Sequence, residues 1–325
     1  MIRTAFLLIT LISLSAFNNL EFNNKNKEFV RLMQNRKIMV VAPGSGIANE
    51  LLSNLKNISS LKLYIPDHCF NGKKTVFHSA DDLTRYKCLE EALLSSEDSI
   101  IWALRGGYGA EKLIPKLRLL QKPKKEKWFI GFSDITALHI FLTQEWGWKT
   151  IHGSNLVGVL DPLKDRNNFV KIAEIITQNK EQIKIKGLHA LNQPARSGEI
   201  VTGSLTGGNL TLMQTSIGTD WQIKTANKII FIEDVGIAAY QLDRSLNHLK
   251  QAGVLDNIKA IIFGTCGSDN KNILAALTNF AATLPVPVFK TNKFGHERIN
   301  YPIIYNTTSK IIPSNNDQFE LIMKL

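Results

Sequence analysis

The pattern that most constrains this chain repeats through its first half: a short apolar run of strand length, a glycine-bearing turn, then a helical stretch. Residues 37–42, Lys-Ile-Met-Val-Val-Ala, are followed by Pro43-Gly44-Ser45-Gly46 and a helical segment at 49–55. A second run lies at 61–65. A helix follows at 78–95, with Asp81, Asp82 and Glu90 on one face and Leu83, Cys88, Leu89 and Leu93 on the other. Ser-Ile-Ile-Trp-Ala-Leu at 99–104 leads directly into Arg105-Gly106-Gly107-Tyr108-Gly109 and a helical stretch at 110–120. Lys-Trp-Phe-Ile-Gly at 127–131 leads into Phe132-Ser133-Asp134, and 150–153 is a fifth run. Strands that alternate with helices through such turns specify a parallel α/β sheet. Runs that are apolar throughout, not on alternate residues, specify strands buried on both faces.

In a parallel sheet the loops at the carboxyl ends of the strands lie together and form the ligand crevice. Two of these loops have chemistry. Ser133 stands where a strand turns sharply into a helix whose apolar positions are Ile135, Leu138, Ile140, Phe141 and Leu142. Such a turn holds the hydroxyl up and aims the first helical N–H groups beside it, as in a nucleophile elbow. Gly131-Phe-Ser-Asp lacks the second glycine of the common G-x-S-x-G form, and a Ser at a helix start also serves as an N-cap. The glycines 106, 107 and 109 let a backbone pass close to another group with its N–H groups outward. These two loops end consecutive strands and are expected to face each other. Pro43-Gly44-Ser45-Gly46 has neither dinucleotide nor Walker spacing and reads as a tight βα turn.

After 161 the periodicity loosens, with one helix expected at 169–177. A second block opens near Gly198. It has strands at 199–205, 228–232 and 259–263, short β segments at 287–289, 303–304 and 319–323, and helices from Leu210 and over 240–252. The expected architecture is α/β in two domains. Residues 36–160 form an N-terminal parallel-sheet α/β domain of the flavodoxin or amidotransferase type. Residues 161–197 connect it to a C-terminal mixed α/β domain with β segments at 198–325.

Composition narrows the function classes. At 325 residues, 44% hydrophobic and 21% charged, the chain is an ordinary folded protein. Its net charge of +11 is spread along the sequence, and no basic motif interleaved with aromatics is present. No nucleic-acid partner is expected, although general attraction to anionic wall or membrane material fits the charge. Cys69, Cys88 and Cys266 are odd in number and widely spaced. They match neither a metal pattern nor a disulfide framework, and each reads as a small buried apolar residue. Met1-Ile2-Arg3 precedes an apolar run at 5–17, so 1–25 reads as a signal or anchor segment, short for a membrane span. The alternative is an extra N-terminal segment on a cytoplasmic protein.

A serine nucleophile needs a base, and the base needs an orienting acid. Of seven histidines, His68, His78, His189 and His248 have polar or helical settings, and His139 lies too far along the helix of Ser133 to bond it. His152 follows a strand, and His296 sits in a glycine-flanked loop, Phe294-Gly295-His296-Glu297. Glu233 and Asp234, at the end of the most apolar strand of the second block, are the candidate acids.

Six motifs then fall in one order: Arg105-Gly-Gly-Tyr-Gly109, Gly131-Phe-Ser-Asp-Ile-Thr-Ala-Leu-His139, Gly203-x-x-x-Gly-Gly-Asn-Leu210, Phe231-Ile-Glu-Asp-Val-Gly236, Tyr240-x-x-Asp-Arg244 and Gly295-His296. In order and rough spacing they resemble the LD-carboxypeptidase family, serine peptidases similar to muramoyl-tetrapeptide carboxypeptidase. The match runs from about Lys37 to the C-terminus.

The resemblance implies Ser133 as nucleophile, His296 as general base and Glu233 as its orienting carboxylate. It implies an oxyanion hole from the N–H groups of Gly107 and Asp134. The implied reaction releases the terminal D-alanine of a murein tetrapeptide, in wall turnover or recycling, with no metal or cofactor. It implies a cytoplasmic site of action, against which the apolar N-terminus sets a periplasmic or membrane-anchored one. The sequence leaves a homodimer open. Glu297-Arg298-Ile299-Asn300-Tyr301-Pro302 departs from the smaller residues usual after Gly295-His296. Arg105 and Arg244 are candidates to hold the substrate carboxylate. Two rival readings remain. One is an immunity-type hydrolase of peptidyl-nucleotide amides that draws on Trp146, Trp148 or Trp221. The other is a non-catalytic binder of wall peptides.

Overall fold

The computed structural model describes residues 22–24, 26–70, 75–267, 271–314 and 318–325. The stretch 1–25, read above as a signal or anchor, lies outside them apart from 22–24. Among the described residues no helix is long and apolar enough to cross a membrane.

The strands of the first half are β1 (Lys37–Val41), β2 (Lys62–Tyr64), β3 (Ser99–Ala103), β4 (Phe129–Gly131) and β5 (Ile151–His152). Those of the second are β6 (Gln182–Ala190), β7 (Val201–Asn209), β8 (Lys228–Asp234), β9 (Ala260–Cys266), β10 (Val288–Lys290), β11 (Ile303–Ile304), β12 (Thr308–Pro313) and β13 (Gln318–Lys324). The first sheet has the order β11-β5-β4-β3-β1-β2. Its first five strands in chain order are mutually parallel, and β11 is antiparallel to β5. The chain steps outward from β1 to β2, then returns across β1 to β3. The carboxyl ends of β1 and β3 therefore flank a topological switch point, where open α/β sheets bind ligands.

The apolar runs behave as strands buried on both faces. Ile38, Val40, Ile100 and Trp102 enter one core. Their chain neighbours Met39, Val41, Ile101 and Ala103 enter the other. The period of two sends successive side chains to opposite faces.

The second half closes into a barrel, β10-β6-β13-β12-β7-β8-β9. Strands β7, β8, β9 and β10 are parallel, and the remaining pairs are antiparallel. Ile229 and Phe231 join the same core as Ile38 and Trp102, while Ile230 and Ile232 join that of Met39 and Ile101, with Leu242, Leu246, Leu249 and Leu277 of the helices Ala239–Gln251 and Lys271–Ala282.

Four expectations change. Residues 161–197 are not simply a connection, because β6 pairs with both β13 and β10 and completes the barrel. Its alternating burial, with Ile183, Ile185 and Leu188 inward, was hidden among lysines that face outward. Strand β11 belongs to the first sheet although it lies within 198–325. The helix expected at 110–120 is only a 3-10 turn, Glu111–Leu113, and one helical turn, Ile114–Leu117. Finally, Cys69 and Cys88 form a disulfide, and Cys266 alone is a free buried thiol. The bridged residues are 19 apart in sequence, and only the folding-back of the 3-10 turn Asp67–Cys69 onto the helix Asp82–Leu94 brings them together.

Candidate active site

Ser133 is the first residue of a 3-10 turn, Ser133–Ile135, that opens the helix Thr136–Glu145. Phe132 is extended, and Ser133 then takes φ = 66°, a left-handed value that costs a residue with a side chain of order 1 kcal/mol. This is the strained strand-to-helix elbow expected from the sequence. The missing second glycine has a packing explanation. The side chain of Ile135 fills the space beside Gly131, where a Cβ would stand 2.8 Å from the Ile135 Cγ2. One glycine therefore gives the close approach, and Ile135 is accommodated by its lack of a side chain.

The glycine loop lies against this turn. A Cβ at Gly106 would come within 3.0 Å of the Ser133 Cβ and 3.3 Å of its Oγ. Gly107 has φ = 103°. The loop is fixed from two sides. The Asp134 carboxylate accepts from the N–H groups of Gly109 (3.3 Å) and Ala110 (3.0 Å). The Ser45 N–H donates to the Gly106 carbonyl (2.9 Å), and the Ser45 hydroxyl accepts from the Tyr108 N–H (3.3 Å). The turn at 43–46 is thus a strut for the glycine loop, a role its sequence did not signal. Burial pushes the Asp134 carboxyl up to about 6, with Glu111 adding to the rise and the two N–H donors opposing it.

His296 reaches the same place from the other half of the molecule. Its Nδ1 lies 2.6 Å from Oε2 of Glu233, whose side chain is fully buried. Its ring sits 4.8 Å from that of Phe132, the residue before Ser133. The two candidate acids divide their work. Glu233 meets His296, whereas Asp234 accepts from Asn209 Nδ2, the Thr211 N–H and hydroxyl, and the Val235 N–H. Asp234 thereby secures the Gly203–Leu210 motif, whose Asn209 N–H donates to the Thr136 hydroxyl on the helix behind Ser133.

The His296 loop is clamped by the stretch that follows the first sheet. Lys164 Nζ donates to the carbonyls of His296 and Glu297, each at 2.8 Å. Asn168 accepts from the Asn300 N–H (2.9 Å) and donates to the Arg298 carbonyl (3.0 Å). Asn300 in turn accepts from the Gly295 N–H (3.1 Å). The residues after His296 that depart from the smaller ones expected are thus part of this clamp.

Ser133, Gly106, Gly107 and His296 open onto one cavity of about 720 Å³, walled on its apolar side by Leu51, Phe132, Val157, Leu160 and Val235. Arg105 reaches it too, but Arg244 is not among the lining residues and lies over the exposed Tyr240 ring. No Trp lines it among the described residues. Trp146, Trp148 and Trp221 are buried in the core instead. His152 is buried behind the site with its ring 5.9 Å from that of Phe132, and His139 bonds the Gly131 carbonyl and Thr150. Burial holds both imidazoles below the ordinary range, His139 at about 4, so both are neutral packing groups at pH 7.

Comparison with known proteins shows the family of the chain. Residues 38–153 match the LD-carboxypeptidase N-terminal domain and 202–311 the LD-carboxypeptidase C-terminal domain. The chain belongs to the LD-carboxypeptidase family. A Rickettsia conorii protein named "Putative carboxypeptidase" is 55% identical over 291 residues, which is 90% of this chain and 92% of that one. The murein tetrapeptide carboxypeptidase of Pseudomonas aeruginosa is 27% identical over 287 residues, 84% of this chain and 92% of its own length. Among solved structures, the muramoyltetrapeptide carboxypeptidase from Oxalobacter formigenes superposes with a TM-score of 0.72 at 23% identity, covering 89% of this chain and 99% of its own. This LD-carboxypeptidase family member therefore shares both domains with relatives named for murein peptides.

Proposed function

We propose that this chain is a serine-type LD-carboxypeptidase that hydrolyses the amide between the L-centre of a diamino acid and the terminal D-alanine of murein tetrapeptides. The observation that carries this reading is the 2.6 Å bond between His296 and the buried Glu233, with His296 and Ser133 opening onto one cavity.

With Nδ1–H donated to Glu233, the imidazole presents its Nε2 lone pair to the cavity and accepts the Ser133 proton. Ser133 Oγ attacks the scissile carbonyl. The N–H groups of Gly107 and Asp134 receive the oxyanion, a contribution on the order of 100-fold or more in rate. Glu233 stabilises the imidazolium in a water-excluded setting, where an opposite charge counts for more than in solvent. The imidazolium gives its proton to the departing amine, D-alanine leaves, and water deacylates Ser133 with His296 again as base.

The test is D-alanine release from tetrapeptide by the purified chain and by Ser133→Ala. The wild type is expected to release it, and the variant to lose roughly 10⁴-fold or more while remaining folded. Equal release by both would remove Ser133 from the mechanism. Tight binding without release by the wild type would make the chain a wall-peptide binder.

A further inference from the structure

A carboxypeptidase must recognise a free carboxylate beside the bond it cuts. Among the described residues, Arg105 and Lys164 bring cationic side chains to the cavity. They are anchored to different neighbours of Ser133. Arg105 adjoins the glycine loop of the expected oxyanion side, and its Nη1 donates to the Gly46 carbonyl at 3.1 Å. Lys164 is tied to the main chain of His296 itself.

Substrate chemistry chooses between them. The base must reach the leaving amine in order to protonate it. In a terminal D-alanine the carboxylate carbon is two bonds from that nitrogen, about 2.5 Å away. The group that receives the carboxylate therefore belongs on the histidine side of the nucleophile, where Lys164 stands. Its ammonium has three N–H donors. Two go to the His296 and Glu297 carbonyls, which leaves one for a group in the cavity. Burial draws its pKa down, while the carboxylates of Asp161 and Glu297 oppose the fall.

We propose that Lys164 is the specificity-determining residue of this site, receiving the C-terminal carboxylate of the peptide while its other two hydrogen bonds hold the His296 loop. One side chain then links recognition of a free peptide end to placement of the base. The proposal rests on the LD-carboxypeptidase reading above, and the experiment separates the two.

Two substrates are compared, a tetrapeptide ending in free D-alanine and the same peptide ending in D-alaninamide. Wild type is expected to prefer the free acid by on the order of 100-fold in kcat/KM, the scale of one desolvated charge-assisted contact. In Lys164→Met the preference falls to roughly 3-fold or less: release of the His296 loop slows both substrates, and the free acid loses the charge contact in addition. Lys164→Arg keeps most of it. Calorimetric binding of both peptides to Ser133→Ala, with and without Lys164→Met, repeats the comparison without turnover and excludes a displaced His296 as the cause. If Lys164→Met slows both substrates alike and leaves the preference intact, Lys164 only positions the loop and the proposal falls while the LD-carboxypeptidase reading stands. If wild type cleaves neither peptide, that reading falls and takes the proposal with it.

Discussion

The Ser133 turn and the His296 loop meet at one cavity, yet they are built in opposite ways. The turn is shaped chiefly by five consecutive residues, 131–135, with Asp134 tied to the glycine loop and the Phe132 N–H to Asn155. The loop is placed from far away: His296 bonds Glu233 across 63 residues and Lys164 across 132, and Asn168 holds Asn300 across 132. A local device tolerates distant change. A loop held by a few long-range hydrogen bonds does not, since loss of a partner such as Asn168 leaves the buried Asn300 N–H unsatisfied at about 1–3 kcal/mol.

That contrast can be broken most severely at Glu233. Glu233→Gln keeps the shape but removes the charge and the preference for the Nδ1–H tautomer. A fall in kcat of roughly 10³- to 10⁴-fold is expected, with little change in KM. An unchanged kcat would mean that the carboxylate does not act through His296. A smaller effect is expected at Asn168. Asn168→Ala loosens the loop without touching Ser133, Glu233 or His296, lowering kcat on the order of 10-fold and stability by about 1–3 kcal/mol. If stability falls but kcat does not, the clamp is structural only, and His296 keeps its place without Asn168.

The smallest effect concerns the turn and is read through pH. His139 supports the Gly131 carbonyl as a neutral imidazole, with a folded pKa of about 4 against 6.5 in the unfolded chain. His152 shifts the same way. Below pH 6.5 the unfolded chain takes up protons at these two sites that the folded chain refuses, so their contribution to stability is lost as pH falls toward 4. Asp134 works in the opposite direction. Its folded pKa of about 6 against 3.8 lets the folded chain take up a proton first, which offsets one of the two imidazoles. His139 by itself contributes a fall of up to about 1.4 kcal/mol per pH unit between pH 6 and 4, which Asp134 opposes over the same window and His152 reinforces. In His139→Asn that share of the slope is expected to vanish. Denaturant unfolding at pH 7, 6 and 5 for both proteins checks this, and identical slopes would remove His139 from the account.

The parallel sheet, the Ser133 elbow and the glycine loop could be read from the chain because each rests on neighbours in sequence. Apolar runs, turns and the 3.6-residue period are local properties. Their order along one sheet also predicted that the ends of β3 and β4 lie together, as they do. The six motifs named the family because they keep their order. They could not say why each residue is there. Asp234 and Glu233 are adjacent in sequence and equally acidic, and only the strand end decides that one secures Asn209 and Thr211 while the other meets His296.

What the sequence determined by itself was the set of local shapes and the chemistry available to them. The tertiary structure decided the closure of β6 into the barrel, the joining of Cys69 to Cys88, and the placing of Lys164 and Asn168 on the His296 loop. These are pairings between segments far apart in the chain, fixed by burial and by the need of each buried polar group for a partner. No local pattern records which distant segment will supply it.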